Sequence, residues 1–245
     1  MRGGEARSPA VRGPGASFAL GAILLIAACS PPPESPAEPR AQAPAEAPPK
    51  SAPVGAAAPE EGKVSRADDG DTITLEGGRQ VRYLGIDTPE RGEPFADRAR
   101  EENRKLVAGK TARLRRGGPE DADRHGRLLR AVYVDPPAGG GLLCVNVALV
   151  RAGLALTYIA RDDAVEPGLL RELLEAQGEA IEARRNLWKG LLDAAAGAKD
   201  LVSSRWRIHR KSCAEIQGFQ LRPVSAVERE LRSGKSPCRS CRPLR

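Results

Sequence analysis

The chain has 245 residues, 40% of them hydrophobic, which suits a globular body, but its 26 glycines and 21 prolines are unevenly spread and exclude part of it from any core. The formal net charge of +7 is local too: residues 64–198 carry 21 Lys and Arg against 22 Asp and Glu, whereas residues 199–245 carry 12 against 4. Long-range attraction to a polyanion therefore belongs to the C-terminal piece, although a basic tail can equally keep a protein soluble or adhere to anionic lipid. An aromatic content of 3% leaves few side chains for stacking on planar ligands.

Arg2, Arg7 and Arg12 precede an apolar run, Phe18 to Ala28, that is too short to span a bilayer and has the pattern of a signal-peptide core. The run ends in Ile26-Ala27-Ala28-Cys29, which resembles the lipobox of bacterial lipoproteins. The resemblance implies removal of residues 1–28, lipidation of Cys29 and, with Ser30 next, an outer-membrane address facing the periplasm or the exterior. An ordinary cleavage site beside an incidental cysteine is the competing reading. Residues 29–61, rich in proline and alanine, are expected to be a disordered linker that holds the body off the lipid surface.

From Gly62 the texture changes to short β-patterned segments separated by turn signals. Strands are predicted over 64–66, 72–75 and 79–86, with Glu76-Gly77-Gly78 turning a hairpin. Helical spacing of Phe95, Ala99, Asn103, Leu106 and Val107 predicts a helix over 94–108, followed by strands over 111–115, 127–134 and 142–145. A short helix over 146–152, a return to the sheet over 154–159 and a long helix over 166–186 complete the pattern. Five or so short strands interrupted and followed by helices suggest a small, partly closed Greek-key barrel of the OB type, with helices packed against it.

Within this body the residues Asp69-Gly70-Asp71-Thr72, Arg82 and Asp87-Thr88-Pro89-Glu90 crowd carboxylates together. Such groups repel unless a cation compensates them, so the arrangement asks for a hard metal ion and an anionic substrate. These motifs, taken in order with Asp123-Arg124-His125-Gly126-Arg127, the Asn146 to Ala155 run, Glu175-Ala176-Gln177 and Asn186-Leu187-Trp188, closely resemble the staphylococcal nuclease (thermonuclease-like) family over residues 62–192. The resemblance implies a five-stranded OB-fold β-barrel of α+β class with about three packed helices, and a calcium-dependent phosphodiesterase acting on DNA and RNA.

Carried onto this sequence, it implies calcium ligands at Asp71, Asp87 and the Thr88 carbonyl, a glutamate acting on the attacking water at Glu90, and phosphate-clamping arginines at Arg82 and Arg127. Oxygen donors suit calcium, and guanidinium forks suit phosphate. His125 stands where the family often has a tyrosine, and can contact the nucleotide or be a plain loop histidine. Tyr158 is offset by one position from a second substrate-side tyrosine. The Arg91-Gly92-Glu93 loop is shorter than in the best-known members and lacks their lysines. In an ideal strand Arg82 and Asp87 point to opposite faces, so a bulge or strand end is predicted between Tyr83 and Asp87. A non-catalytic OB-fold nucleic-acid-binding lipoprotein of the envelope is the rival reading; it would be free to lose Arg82, Glu90 or Arg127, and none is missing.

Residues 193–204 are expected to link this body to a small module over 205–245. His209, Cys213, Cys238 and Cys241 form an H-x3-C and a C-x2-C pair, the spacing of a tetrahedral zinc site, and their surroundings resemble the Ada-type metal-binding modules of DNA-processing proteins. An exported protein also favours disulfides, so Cys213 paired with Cys238 or Cys241 is the alternative. Cys144, inside an apolar run, is expected to be a buried core thiol. The chain is thus expected to be a monomeric, lipid-anchored nuclease using Ca2+ and Zn2+, with nucleic acid as substrate.

Overall fold

One bent strand serves two sides of a barrel. In the computed structural model, which describes residues 60–136, 139–160 and 164–244, β1 (Glu60–Ala67) pairs antiparallel with β5 (Thr111–Arg115) through its first half and with β2 (Thr72–Leu75) through its second. An irregularity in register between Val64 and Arg66 separates the halves and supplies the bend. β2 returns antiparallel as β3 (Gln80–Tyr83), and β5 pairs antiparallel with β6 (Leu128–Val134). A parallel pairing of β3 with β6, Val81 opposite Leu128 and Arg82 opposite Leu129, closes five strands into the expected barrel.

The interior is built from alternate residues of these strands. Ile73, Val81, Ala112, Val132 and Val134 are all fully buried. β7 (Leu143–Cys144) pairs antiparallel with β6, and the Cys144 side chain joins the core as expected. Burial pushes its thiol pKa up. Short β4 (Ile86–Asp87) and β8 (Leu156–Thr157) pair antiparallel outside the barrel.

Helix α1 (Ala96–Val107) buries Ala99, Asn103 and Val107, spaced four apart on one stripe. α2 (Val145–Arg151) and α3 (Pro167–Glu182) pack on each other and on the barrel. The buried asparagine of α2 is a fastener: Asn146 Oδ1 accepts from Val132 N at 2.9 Å, and its Nδ2 donates to Leu84 O at 2.9 Å and Arg130 O at 3.3 Å. It ties β6 to the turn that follows β3.

The C-terminal region departs from the expected linker and separate module. Residues 193–204 hold the second half of α4 (Leu187–Gly197) and strand β9 (Leu201–Ser203). The break before α4 comes from Arg184 at φ 49° and Asn186 at φ 45°, left-handed residues that end one helix and let the next begin. β9 pairs with β10 (Arg207–Arg210) and β11 (Arg222–Pro223), and β12 (Ser236–Pro237) runs parallel to β10. With α5 (Val227–Arg232), these elements form a second core of Ala180, Ile181, Trp188, Leu201, Ile208, Leu231 and Leu244. α3 contributes to both cores, so the C-terminal sheet is packed against the barrel body through shared helix. At the other end, Glu60 and Glu61, assigned to the linker from sequence, belong to β1. The expected signal segment 1–28, the expected lipidation site Cys29 and the rest of the expected linker up to residue 59 lie outside the described residues.

Asn146→Ala would leave a strand amide and a turn carbonyl buried without partners. We expect it to lower the unfolding free energy in urea by about 2–4 kcal/mol, since an unsatisfied buried backbone group costs about 1–3 kcal/mol.

Candidate active site

The turn between β1 and β2 is shaped by its own carboxylate. Asp69 Oδ1 accepts from Asp71 N at 2.9 Å, an Asx-type turn bond, and burial together with the neighbouring Asp71 charge raises its pKa. Gly70 is required by close approach: a Cβ there would lie 2.7 Å from Thr88 Oγ1. The turn is also held from behind. Asn103 Nδ2 donates to Asp69 O at 2.9 Å while its Oδ1 accepts from the buried Tyr83 hydroxyl at 2.7 Å.

Asp71, only 5% exposed, is the centre of the site. Its Oδ2 accepts from Thr88 N at 2.8 Å and Thr88 Oγ1 at 2.9 Å, and pairs with Arg82 Nη2 at 3.2 Å. The same Arg82 nitrogen lies 3.1 Å from Asp87 Oδ1. The parity problem is solved as the sequence demanded: β3 ends at Tyr83, and a turn through Gly85, at φ 77°, carries the chain round before β4 brings Asp87 back to Arg82. A Cβ on Gly85 would also meet Leu173 Cδ1 at 2.7 Å.

Barrel closure delivers the second arginine. Arg127 precedes β6, whose pairing with β3 carries it to the mouth of the cleft, where its Nη1 donates to Thr72 Oγ1 at 3.4 Å. Asp123 fixes its direction, accepting from Arg127 Nε at 2.8 Å and lying 2.7 Å from its Nη2. Burial opposes the Asp123 charge, but hydrogen bonds from the Arg127 side chain and from the backbone amides of Arg127 and His125 outweigh it and lower the pKa. Asp71, Arg82, Asp87, Thr88, Glu90, His125, Arg127 and Tyr158 all line one cleft of about 660 Å³.

The remaining sequence-predicted residues differ in setting. Glu90 sits exposed at the rim, and its backbone amide donates to Glu93 Oε2 at 3.0 Å. His125 is an exposed loop residue whose Nε2 accepts from Arg124 Nε at 3.1 Å. Tyr158 is half-buried, and the guanidinium of Arg207 from the C-terminal sheet stands 4.0 Å from its ring centroid, covering one face.

A further cationic side chain reaches the cleft from the far end of the chain. Arg239 donates from Nε to Asp87 Oδ2 at 2.9 Å and from Nη2 to Thr88 O at 3.1 Å, approaches Asp87 Oδ1 at 2.6 Å, and pairs through Nη1 with Glu90. Asp87 is therefore gripped by two guanidiniums, Arg82 and Arg239, yet burial still raises its pKa. Burial works against the Arg239 charge, but Asp87 and Glu90 overcome it and hold the side chain firmly protonated. Sequence reasoning missed this role, because nothing in local spacing links a residue between two cysteines to a motif some 150 residues earlier.

The cysteine and histidine cluster lies beside this contact. The ligand atoms of His209, Cys213, Cys238 and Cys241 fall within 4.8 Å of one another. His209 Nε2 is 3.3 Å from Ser204 Oγ, whereas its buried Nδ1 has no hydrogen-bond partner. Cys213 and Cys238 sulfurs are 4.0 Å apart, and all four described cysteines are free thiols. Burial would raise the Cys238 thiol pKa, but backbone amides of Cys241 and Ser240 and neighbouring thiols lower it.

Comparison with known proteins gives a consistent set of likenesses. A family model described as staphylococcal nuclease homologue matches residues 80–190. An endonuclease of Escherichia coli O157:H7, otherwise uncharacterized, is 36% identical over 131 residues, covering 52% of this chain and 76% of its own length. A micrococcal nuclease of Shigella flexneri is 32% identical over 133 residues, covering 52% and 72%. Protein ParB of Escherichia coli is 34% identical over 129 residues, covering 49% and 70%.

Thr88→Val keeps the carbonyl and the volume of the side chain but removes the hydroxyl that donates to buried Asp71. Because hydrogen bonds to charged groups are worth about 1.5–3 kcal/mol, we expect a stability loss of that size in chemical denaturation.

Proposed function

The chain belongs to the staphylococcal nuclease homologue family, and from that premise we propose that it is a calcium-dependent phosphodiesterase that cleaves DNA and RNA internally by attack of water on phosphorus. The observation that carries this reading is the meeting of Asp71, Arg82, Asp87, Glu90 and Arg127 in one cleft. A barrel that only bound its ligand would be free to lose Arg82, Glu90 or Arg127, and all three are present in the cleft.

A phosphodiester repels an anionic nucleophile, so its hydrolysis needs neutralising charge, an activated water and donors that strengthen as the transition state forms. Arg82 and Arg127 present guanidinium forks on the cleft wall, suited to bind phosphate oxygens and to stabilise the extra charge of the pentacoordinate state. Arg82 is aimed by Asp71 and Asp87, and Arg127 by Asp123. Glu90 accepts a proton from the attacking water in this reading, which its exposed position at the rim permits. The donor set fits a hard cation: the Asp87 carboxylate and the Thr88 carbonyl are oxygen acceptors already turned toward one positive group, Arg239. With Asp71 they would hold calcium, which supplies neutralising charge for the phosphate. Few aromatic side chains line the cleft, in keeping with sequence-tolerant binding of a backbone.

The C-terminal cluster fits zinc on a separate observation. The orphaned, buried His209 Nδ1 and the sulfurs of Cys213, Cys238 and Cys241 form a donor set of the kind that needs ligands roughly 4 Å apart. Zinc there would be structural, fastening β10 to the Cys238–Cys241 turn. The positively charged and apolar N-terminal segment, with Ile26-Ala27-Ala28-Cys29, supports export and lipidation at Cys29. We propose an outer-membrane lipoprotein acting as a monomer, with residues 30–59 as tether.

Purified residues 60–245 should degrade single-stranded DNA with calcium and stop when a chelator is added. Glu90→Ala should lower kcat by about 10²–10⁴-fold, the usual contribution of a positioned acid or base. Cleavage that persists at full rate in chelator would refute the calcium reading. Separately, the same protein should carry zinc at about one ion per chain, the capacity of a single four-ligand site, and Cys213→Ser should lose it. A stable Cys213 disulfide in the native protein would exclude that site.

A further inference from the structure

We propose that Arg239 is a built-in occupant of the nuclease cation site, delivered by the C-terminal module, and that a divalent cation must displace it to bind. The inference rests on the calcium reading of the cleft and adds a regulator to it. Its contacts are the groups assigned to cation and base: both oxygens of Asp87, the carbonyl of Thr88 and the carboxylate of Glu90. A guanidinium so placed offers its positive charge to the same oxygens that calcium would use. It also engages Glu90, the group proposed to receive the proton from water. With Arg239 in place, the site is closed to both parts of the chemistry.

The position of Arg239 follows from the fold of the module. It lies between Cys238 and Cys241, on a turn pinned at several points: Cys238 N donates to Ile208 O at 2.9 Å, Arg242 N to Cys238 O at 3.0 Å, and Arg210 N to Cys241 Sγ at 3.3 Å. A second arginine of the turn, Arg242, lies 3.8 Å from Glu93, in the short loop after Glu90. The turn follows β12, which is paired with β10, and the whole sheet rests on the core shared through α3. A flexible tail would supply such a contact only in passing; this one has a scaffold on each side.

Charge makes the contact reversible. Asp71, Asp87 and Glu90 bring three negative charges to the site, which Arg82 reduces and Arg239 reduces further without cancelling. A divalent ion in place of Arg239 neutralises the set better, so calcium at sufficient concentration wins the oxygens. The displaced side chain has somewhere to go, since it is already 49% exposed and its release restores its hydration. The contact is thus strong enough to compete with the ion and weak enough to yield to it. The freed guanidinium then remains at the rim of the cleft.

The test is calcium affinity, read by isothermal titration calorimetry on the native chain and on Arg239→Gln, with zinc content measured in both to show that the module is intact. Removal of an internal competitor should tighten calcium binding by about 5–150-fold, the usual range for coupled sites. Arg239→Lys, whose single ammonium cannot span Asp87, Thr88 and Glu90 together, should fall between the two. Equal affinity in all three proteins overturns the inference and leaves the calcium reading standing. No calcium heat in any of them overturns both. On the native chain alone, calcium should raise the reactivity of Arg239 toward phenylglyoxal, followed by peptide mass spectrometry; unchanged reactivity at calcium saturation counts against displacement even if a variant misfolds.

Discussion

The site depends on one buried carboxylate. An ionised group with so little exposure as Asp71 is tolerated only when hydrogen bonds and an opposite charge replace the water it has lost. Thr88 supplies two donors, Arg82 supplies the charge, and Thr72 Oγ1 approaches the other oxygen at 3.4 Å. Meeting this requirement fixes the rest. Thr88 must come close enough that Gly70 has no room for a side chain, and Arg82 must turn inward from β3. Once both hold, Asp87, the neighbour of Thr88 in sequence, is brought against Arg82 as well. The motifs on either side of the hairpin are therefore two halves of one electrostatic unit, joined through Asp71.

That unit would be loose without a polar frame behind it. Tyr83, Asn103 and the Asp69 carbonyl form a chain from barrel core to turn, while Asn146 holds the turn after β3 to β6. Each of these amides sits where an aliphatic side chain would pack as well by volume. What they add is direction, because an asparagine with its acceptor and its donors engaged fixes the relative height of two backbone segments. The arginines need that precision more than the barrel does, since a guanidinium fork paired with carboxylates tolerates little displacement.

Much of this was legible in the residues. Alternation gave the strands and their burial, the motif order gave the barrel, and the parity conflict between Arg82 and Asp87 required the chain to turn where Gly85 turns it. Other parts could not be read in the same way. Asn103 fell on the apolar stripe of α1 by spacing alone, with no hint that its amide bonds the Asp69 carbonyl. Residues 193–204 looked like a linker because the long helix stops before them, and the left-handed residues that restart it as α4 carry no strong sequence mark. Arg239 was invisible for a different reason: its partners are set by how two cores pack, and pairwise spacing within a motif holds no information about that.

The packing of those cores decides whether the C-terminal sheet is an attached module or part of the catalytic body. α3 buries Leu169 and Leu173 in the barrel core, and Ala180 and Ile181 in the second. Between them Gln177, itself buried, accepts from Thr157 N at 2.7 Å and donates to Leu231 O at 2.6 Å, so one side chain joins β8 to α5. β8 in turn pairs with β4, the strand that carries Asp87. A continuous path of buried contacts thus runs from the helix beneath the C-terminal sheet to a carboxylate of the cleft. Domains joined by polar surface alone move by default, but a buried amide whose partners lie on both sides resists shear, because sliding would leave polar groups unpaired away from water. The Cys238–Cys241 turn therefore faces the cleft as one wall of it, and the cleft of the barrel cannot be described apart from the histidine and cysteine cluster that shapes that wall.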